Sequence, residues 1–250
     1  LFLGSMVAPF LGGLIADILG IQTPFLFCGA LVSLCFVCSL LLRETRKSDQ
    51  ASAEIRKGTE SSFLSVALIF SSLNLVQAIG VGIYSPVTAI FIKEKFSVDY
   101  TAVGLLYALG FGLSSMIVQI PGGILATKYS KKKIIILTII LSAPFFGLFA
   151  LSRSFIESII FMFLSNAILN ISWPAFQDLL MELTPSTRRG LMNGFSATSF
   201  WMGMTIGSAI SGVFWERFGM LFPYYVSATA VFLSAIPPIF LKEADKRSEA

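Results

Sequence analysis

No histidine occurs anywhere in this chain. That removes the commonest metal ligand and the commonest general base at neutral pH. Charged residues make up only 13%, about half of what a soluble domain usually carries. A large solvated surface is therefore excluded. Cysteine is scarce as well: Cys28, Cys35 and Cys38 all fall in one apolar stretch. Cys35 and Cys38 have CxxC spacing, which could mark a metal or redox pair. With no second pair and no histidine, they read instead as small apolar residues on a lipid-facing helix. No metal and no cofactor is expected.

What is present is long uncharged runs. Ile18–Leu42, Ser61–Ile92, Thr101–Thr127, Ile134–Ser152, Ser158–Gln177, Gly190–Trp215 and Phe218–Leu241 each hold 18 or more residues without a charge. About 20 such residues span a ~30 Å hydrocarbon core as a helix. An eighth run, Leu1–Ala16, is shorter and reads as a helix cut at its beginning; no basic segment precedes it as in a signal peptide. Barrel strands would alternate polar and apolar, and these runs do not. The expected class is an all-α polytopic membrane protein with the lipid bilayer as its first partner.

Positive charge is unevenly shared among the loops. Counting along the chain with Leu1–Ala16 as the first, fourteen of the 18 Lys and Arg residues fall after the second, fourth and sixth runs and in the tail; four, Lys93, Lys95, Arg153 and Arg217, fall in the other loops. The positive-inside rule puts the richer side in the cytoplasm, with both chain ends and the 43–62 loop. The net charge of +4 thus needs no nucleic-acid partner. The lysine cluster at Lys128 and Lys131–Lys133 fixes topology first, and a gate contact at that end is a second reading.

The chain also repeats. Residues 4–45 align without a gap on 203–244, an offset of 199. Gly4, Gly13, Gly20 and Pro24 fall on Gly203, Gly212, Gly219 and Pro223, and Asp17 falls on Glu216. Parallel repeats of this kind occur in secondary transporters. Residues 1–44 are then the last two helices of a first six-helix unit, 45–62 a cytoplasmic linker, and 63–250 a complete second unit with a cytoplasmic tail. The repeat also leads one to expect roughly 140 residues before Leu1.

Three stretches resemble the major facilitator superfamily. GILATKYSKK (Gly123 to Lys132) is similar to the weaker second copy of its G-x-L-A-D-R-x-G-R-K signature, with Thr127 in place of the acid and Ser130 in place of the second glycine. GSMVAPFLGG (Gly4 to Gly13) is similar to the fifth-helix motif of the drug–proton antiporters, with Ala8 where glycine is usual. LRET (Leu42 to Thr45) is like the end of the sixth helix. The resemblance implies eight of twelve transmembrane helices, in a plasma-membrane carrier working by alternating access as a monomer. It implies proton-coupled efflux of neutral or amphipathic small molecules. Nutrient uptake, sugar-like, is the alternative within the superfamily. An integral membrane enzyme is the distant alternative, since paired intramembrane acids are missing.

Polar residues inside spans are costly and tend to face a cavity or the bundle interior. Asn74, Gln77 and Tyr84 share one helical face, as do Asn166, Asn170, Trp173 and Gln177. They are the expected substrate-lining set, with Gln119 and Trp201 as weaker members; hydrogen bonding between helices is the competing role. Ala8, Gly12 and Gly13 would let a neighbouring helix approach, and Pro9 could bend its own. That is either ordinary packing or a stiff seam against leakage. Asp178 and Glu182, close to Arg188 and Arg189, are either a solvated helix end or an ion-pair latch to the other half.

Overall fold

A computed structural model of the chain describes residues 2–40 and 60–241. The described residues are almost entirely helical. The helices are α1 (Phe2–Leu19), α2 (Thr23–Leu40), α3 (Glu60–Phe96), α4 (Tyr100–Tyr107), α5 (Ser114–Lys128), α6 (Lys131–Leu151), α7 (Phe155–Glu182), α8 (Arg189–Phe218) and α9 (Phe222–Leu233). A π-helical segment, Ala108–Leu113, joins α4 to α5 within one span, and short 3-10 turns occupy Ser186–Arg188 and Pro237–Phe240. Residues 41–59 and 242–250, which carry most of the expected linker and the tail, lie outside the described residues. α3 starts at Glu60, two residues before the expected end of the linker at 62.

Among the described residues, six helical stretches are long and apolar enough to cross a membrane: those of α2, α3, α4–α5, α6, α7 and the α9 region. The apolar stretch of α1, Gly4–Leu19, is shorter, and α8, although 30 residues long, is less apolar because glycine, serine and threonine replace aliphatic side chains. The reason lies in its packing. A Cβ on Gly203 of α8 would come 2.5 Å from the Leu75 carbonyl oxygen of α3, and one on Gly82 of α3 would come 2.6 Å from that of Met204. The two backbones touch, so small residues are required.

The repeat is visible in the boundaries. α1 ends at Leu19 and α8 at Phe218; α2 begins at Thr23 and α9 at Phe222, all at the offset of 199. The turn glycines match too, Gly20 at φ +89° and Gly219 at φ +88°. Only glycine adopts that left-handed region without steric cost. Pro24 and Pro223 stand in the first turn of the returning helix, where the missing N–H removes no bond.

α3, the α4–α5 span, α6, α7, α8 and α9 form one bundle, with α3 against α8 and α9, α6 against α7 and α9, and α5 against α7. Its core is aromatic: Tyr224 meets Phe91, Phe149 and Tyr84, and Tyr84 meets Phe146. α1 lies on α4 and the π segment. α2 touches chiefly α1 and buries none of its side chains; Phe25, Leu26, Val32 and Phe36 are among its exposed apolar residues. So large an exposed apolar face fits lipid.

Candidate functional site

The stripe on α3 splits in three dimensions. Asn74 is buried, and its amide donates to Ser196 Oγ of α8 at 2.6 Å and to the Ser196 carbonyl at 3.4 Å. Tyr84 is buried in the aromatic core. Gln77 stays half-buried. α7 splits in the same way. Asn166 is buried and donates to the Met162 carbonyl of its own helix at 2.9 Å. Asn170 is half-buried and donates to the Asn166 carbonyl at 2.8 Å, while Trp173 is exposed and stacks on Phe176 with centroids 6.0 Å apart. The structure thus brings Tyr84 and Asn166 together inside the bundle. With Thr88, Phe146, Phe149, Met162, Ser165 and Tyr224 they line an enclosed cavity of only about 10 Å³. That is room for about one water molecule, not for a substrate. The members of the two stripes that are not buried are Gln77, Asn170, Trp173 and Gln177. Gln119 is half-buried, with its amide nitrogen enclosed and unpartnered among the described residues.

A wider concavity, about 640 Å³, lies on one face of α8, lined by Gly194, Ala197, Thr198, Trp201, Met202, Thr205 and Ile206. Only Trp201 of this face stood out by residue type. The others are small or apolar residues at helical spacing, which could equally have met lipid.

At the lysine-cluster end, polar contacts are dense. Lys131 is nearly buried at the start of α6, and its ammonium lies 2.6 Å from both Asp178 Oδ2 and Glu182 Oε2 of α7. These acids are therefore engaged inside the bundle, with α6, rather than with α1 or α2. Lys132 donates to the carbonyls of Ile239 and Leu241 at 2.6 and 2.7 Å. It closes the final 3-10 turn, whose last carbonyls have no helical partner. Arg188 sits 5.2 Å over the ring of Phe63, and Lys128 and Arg189 are exposed. Sequence inspection found these lysines but not their acceptors, because the pairs are 47 and 51 residues apart for Lys131 and more than 100 for Lys132.

The α1 motif packs closely on the facing helix, though not through every residue expected. A Cβ on Gly13 would collide with the Tyr100 carbonyl. On the facing helix, one on Gly104 would strike the Pro9 carbonyl, and one on Gly112 the Met6 backbone. Gly12 has nothing within 4 Å of such a Cβ, and Ala8 is exposed. At the end of the seam Asp17 accepts from Tyr100 N, Thr101 N and Thr101 Oγ1 at 3.1, 2.6 and 2.6 Å. Asp17 stood out in the sequence only as the partner of Glu216 in the repeat. Among the described residues no three His, Cys, Asp or Glu side chains gather as a metal site.

The Major Facilitator Superfamily model matches residues 70–250. An uncharacterized MFS-type transporter of Methanocaldococcus jannaschii is 29% identical over 236 residues, 90% of this chain and 60% of that protein. The quinolone resistance protein NorA of Staphylococcus aureus is 27% identical over 170 residues, 68% of this chain and 43% of NorA. The multi-drug resistance efflux pump PmrA of Streptococcus pneumoniae is 22% identical over 243 residues, 93% of this chain and 60% of PmrA. The chain thus spans less than two thirds of the length of these curated relatives. Its helical bundle, its close-packed glycine contacts and the match over most of its length agree: the chain belongs to the major facilitator superfamily, a family of transporters rather than enzymes.

Proposed function

We propose that this chain forms the greater part of a carrier that exports neutral or amphipathic small molecules by alternating access, driven by protons. The supporting observation is the chemistry of the side chains a ligand can reach. Gln77, Asn170 and Trp173 on the bundle, and Thr198, Trp201, Met202 and Thr205 on α8, are amides, aromatics, hydroxyls and a thioether. In α3 to α9 the charged residues lie at or near helix ends. A strong anion would find no countercharge in mid-span; a flat, weakly polar molecule would find stacking and hydrogen bonds. The relatives NorA, a quinolone resistance protein, and PmrA, a multi-drug resistance efflux pump, point the same way. The reading places the lysine-cluster end, the tail and the 43–62 loop in the cytoplasm, in a plasma-membrane protein working as a monomer.

The test is flux in liposomes containing the full-length protein, with an imposed pH gradient. Accumulation of an amphipathic dye against its gradient, collapsed by a protonophore, is the expected result. Gradient-driven movement of a sugar and none of the dye would select nutrient uptake instead.

A further inference from the structure

We infer that Asp17 is a reversible latch that holds α1 against the first turn of α4 and keeps that end of the molecule closed. The first four N–H groups of a helix have no partner inside it. In α4 those of Tyr100, Thr101 and Ala102 are satisfied from two sources, and Val103 N makes the first helical bond. Asp99, the residue before the helix, receives Ala102 N at its side chain (2.8 Å) and Val103 N at its backbone carbonyl (3.3 Å). The other two, Tyr100 N and Thr101 N, go to Asp17 of α1, more than 80 residues away. The Thr101 hydroxyl adds a third bond to the same carboxylate. A carboxylate also complements the positive end of the α4 dipole. Lys93, at the end of α3, packs its ammonium 3.3 Å over the ring of Tyr100.

The rest of the contact explains why a latch is needed. Gly13, Gly104 and Gly112 put backbone against backbone, so no side chain at these positions interlocks across the seam. Contact is concentrated on α4 and the π segment and nearly vanishes on α5. The contact runs along α1, from Met6 against Gly112 to Asp17 against Tyr100 and Thr101, and Asp17 is its polar end. Asp17 is exposed, so water can replace α4 as its partner, and the bonds can open and re-form. A buried carboxylate could not let go without losing solvation.

The inference rests on the transporter reading only in taking α1 to move against the bundle, and its test does not use flux. Spin labels go on Ile21→Cys and Glu94→Cys, both exposed at this end, with Cys28, Cys35 and Cys38 replaced by serine. Distances are measured on the full-length protein in nanodiscs. With Asp17 intact a short distance dominates. Asp17→Asn, nearly isosteric, and Asp17→Ala raise the ratio of long to short populations on the order of fivefold. Asp99→Ala, which uncaps α4 from within the bundle, leaves the ratio unchanged. Unchanged distances in both Asp17 variants, or an equal shift in Asp99→Ala, would overturn the latch. Should Asp17→Ala not fold, Asp17→Asn decides. Failure of dye export with shifted distances would count against the export reading and leave the latch standing.

Discussion

Asn74 and Asn170 are both amides well inside long helices, yet their surroundings assign them different work. Asn74 joins α3 to α8 through Ser196, whereas Asn170 bonds only to its own helix among the described contacts and keeps a half-open face. One hydrogen bond between helices in a membrane contributes ~0.6–2 kcal/mol. Asn74→Leu should therefore lower the thermal midpoint and the membrane level of the protein, with apparent substrate affinity unchanged. Asn170→Leu should do the reverse: normal stability, with apparent affinity weakened about threefold to thirtyfold. Thermal unfolding in detergent and concentration-dependent flux separate the two. Equal loss of affinity in both variants would place Asn74 in the site as well. Helical spacing puts these polar residues on common faces. Burial along a face was not legible, because a stripe some distance around a helix meets α8 at one level and open space a few residues later.

At the scale of elements, uncharged length and turn glycines located nearly every span, and the 199-residue offset located matching helix ends. Two features escaped. The π segment at Ala108–Leu113 is as apolar as its neighbours, so no change in composition marks it. It lies where the span meets two helices at once, Gly110 against Met162 of α7 and Gly112 against Met6 of α1, and those contacts are tertiary. The last span also stops being α-helical at Leu233, before Pro237 and Pro238, although the uncharged run continues to Leu241. Hydropathy measures transfer from water and does not register the backbone donors that proline removes. Glycine packing gives this scale its prediction. In Gly203→Ala the new Cβ would lie 2.5 Å from the Leu75 carbonyl oxygen, so α3 and α8 must separate. Such overpacking costs about 1–3 kcal/mol. Gly29→Ala in α2, with nothing within 4 Å, should be neutral or slightly stabilising through helix propensity. Comparable thermal midpoints for the two variants would show that α8 tolerates displacement.

The whole molecule has two chemically different ends, and contacts identify which turns share each. Lys131 with Asp178 and Glu182, and Lys132 with Ile239 and Leu241, gather the α5–α6 turn, the end of α7 and the end of the last span at one end. Asp17 with Tyr100 and Thr101, and Lys95 with the Ala150 carbonyl at 2.7 Å, gather the α1–α2, α3–α4 and α6–α7 turns at the other. The lysine-cluster end holds six basic residues among the described ones: Lys128, Lys131, Lys132, Lys133, Arg188 and Arg189. The opposite end has four, each in a different connection or helix end except Lys93 and Lys95. The local pairings do not cancel the asymmetry, because orientation responds to Lys and Arg near the span ends, with Asp and Glu contributing little. The proposed topology therefore puts the lysine-cluster end inside the cell. Tyr129→Cys and Ile21→Cys report on the two ends, since both positions are exposed. The three native cysteines are first replaced by serine, and intact cells are treated with a thiol reagent that cannot cross membranes. Ile21→Cys should label at once, and Tyr129→Cys only after the cells are made permeable. The opposite pattern would invert the topology: Lys131 and Lys132 would then close the outer end, and the Asp17 contact would close the inner one.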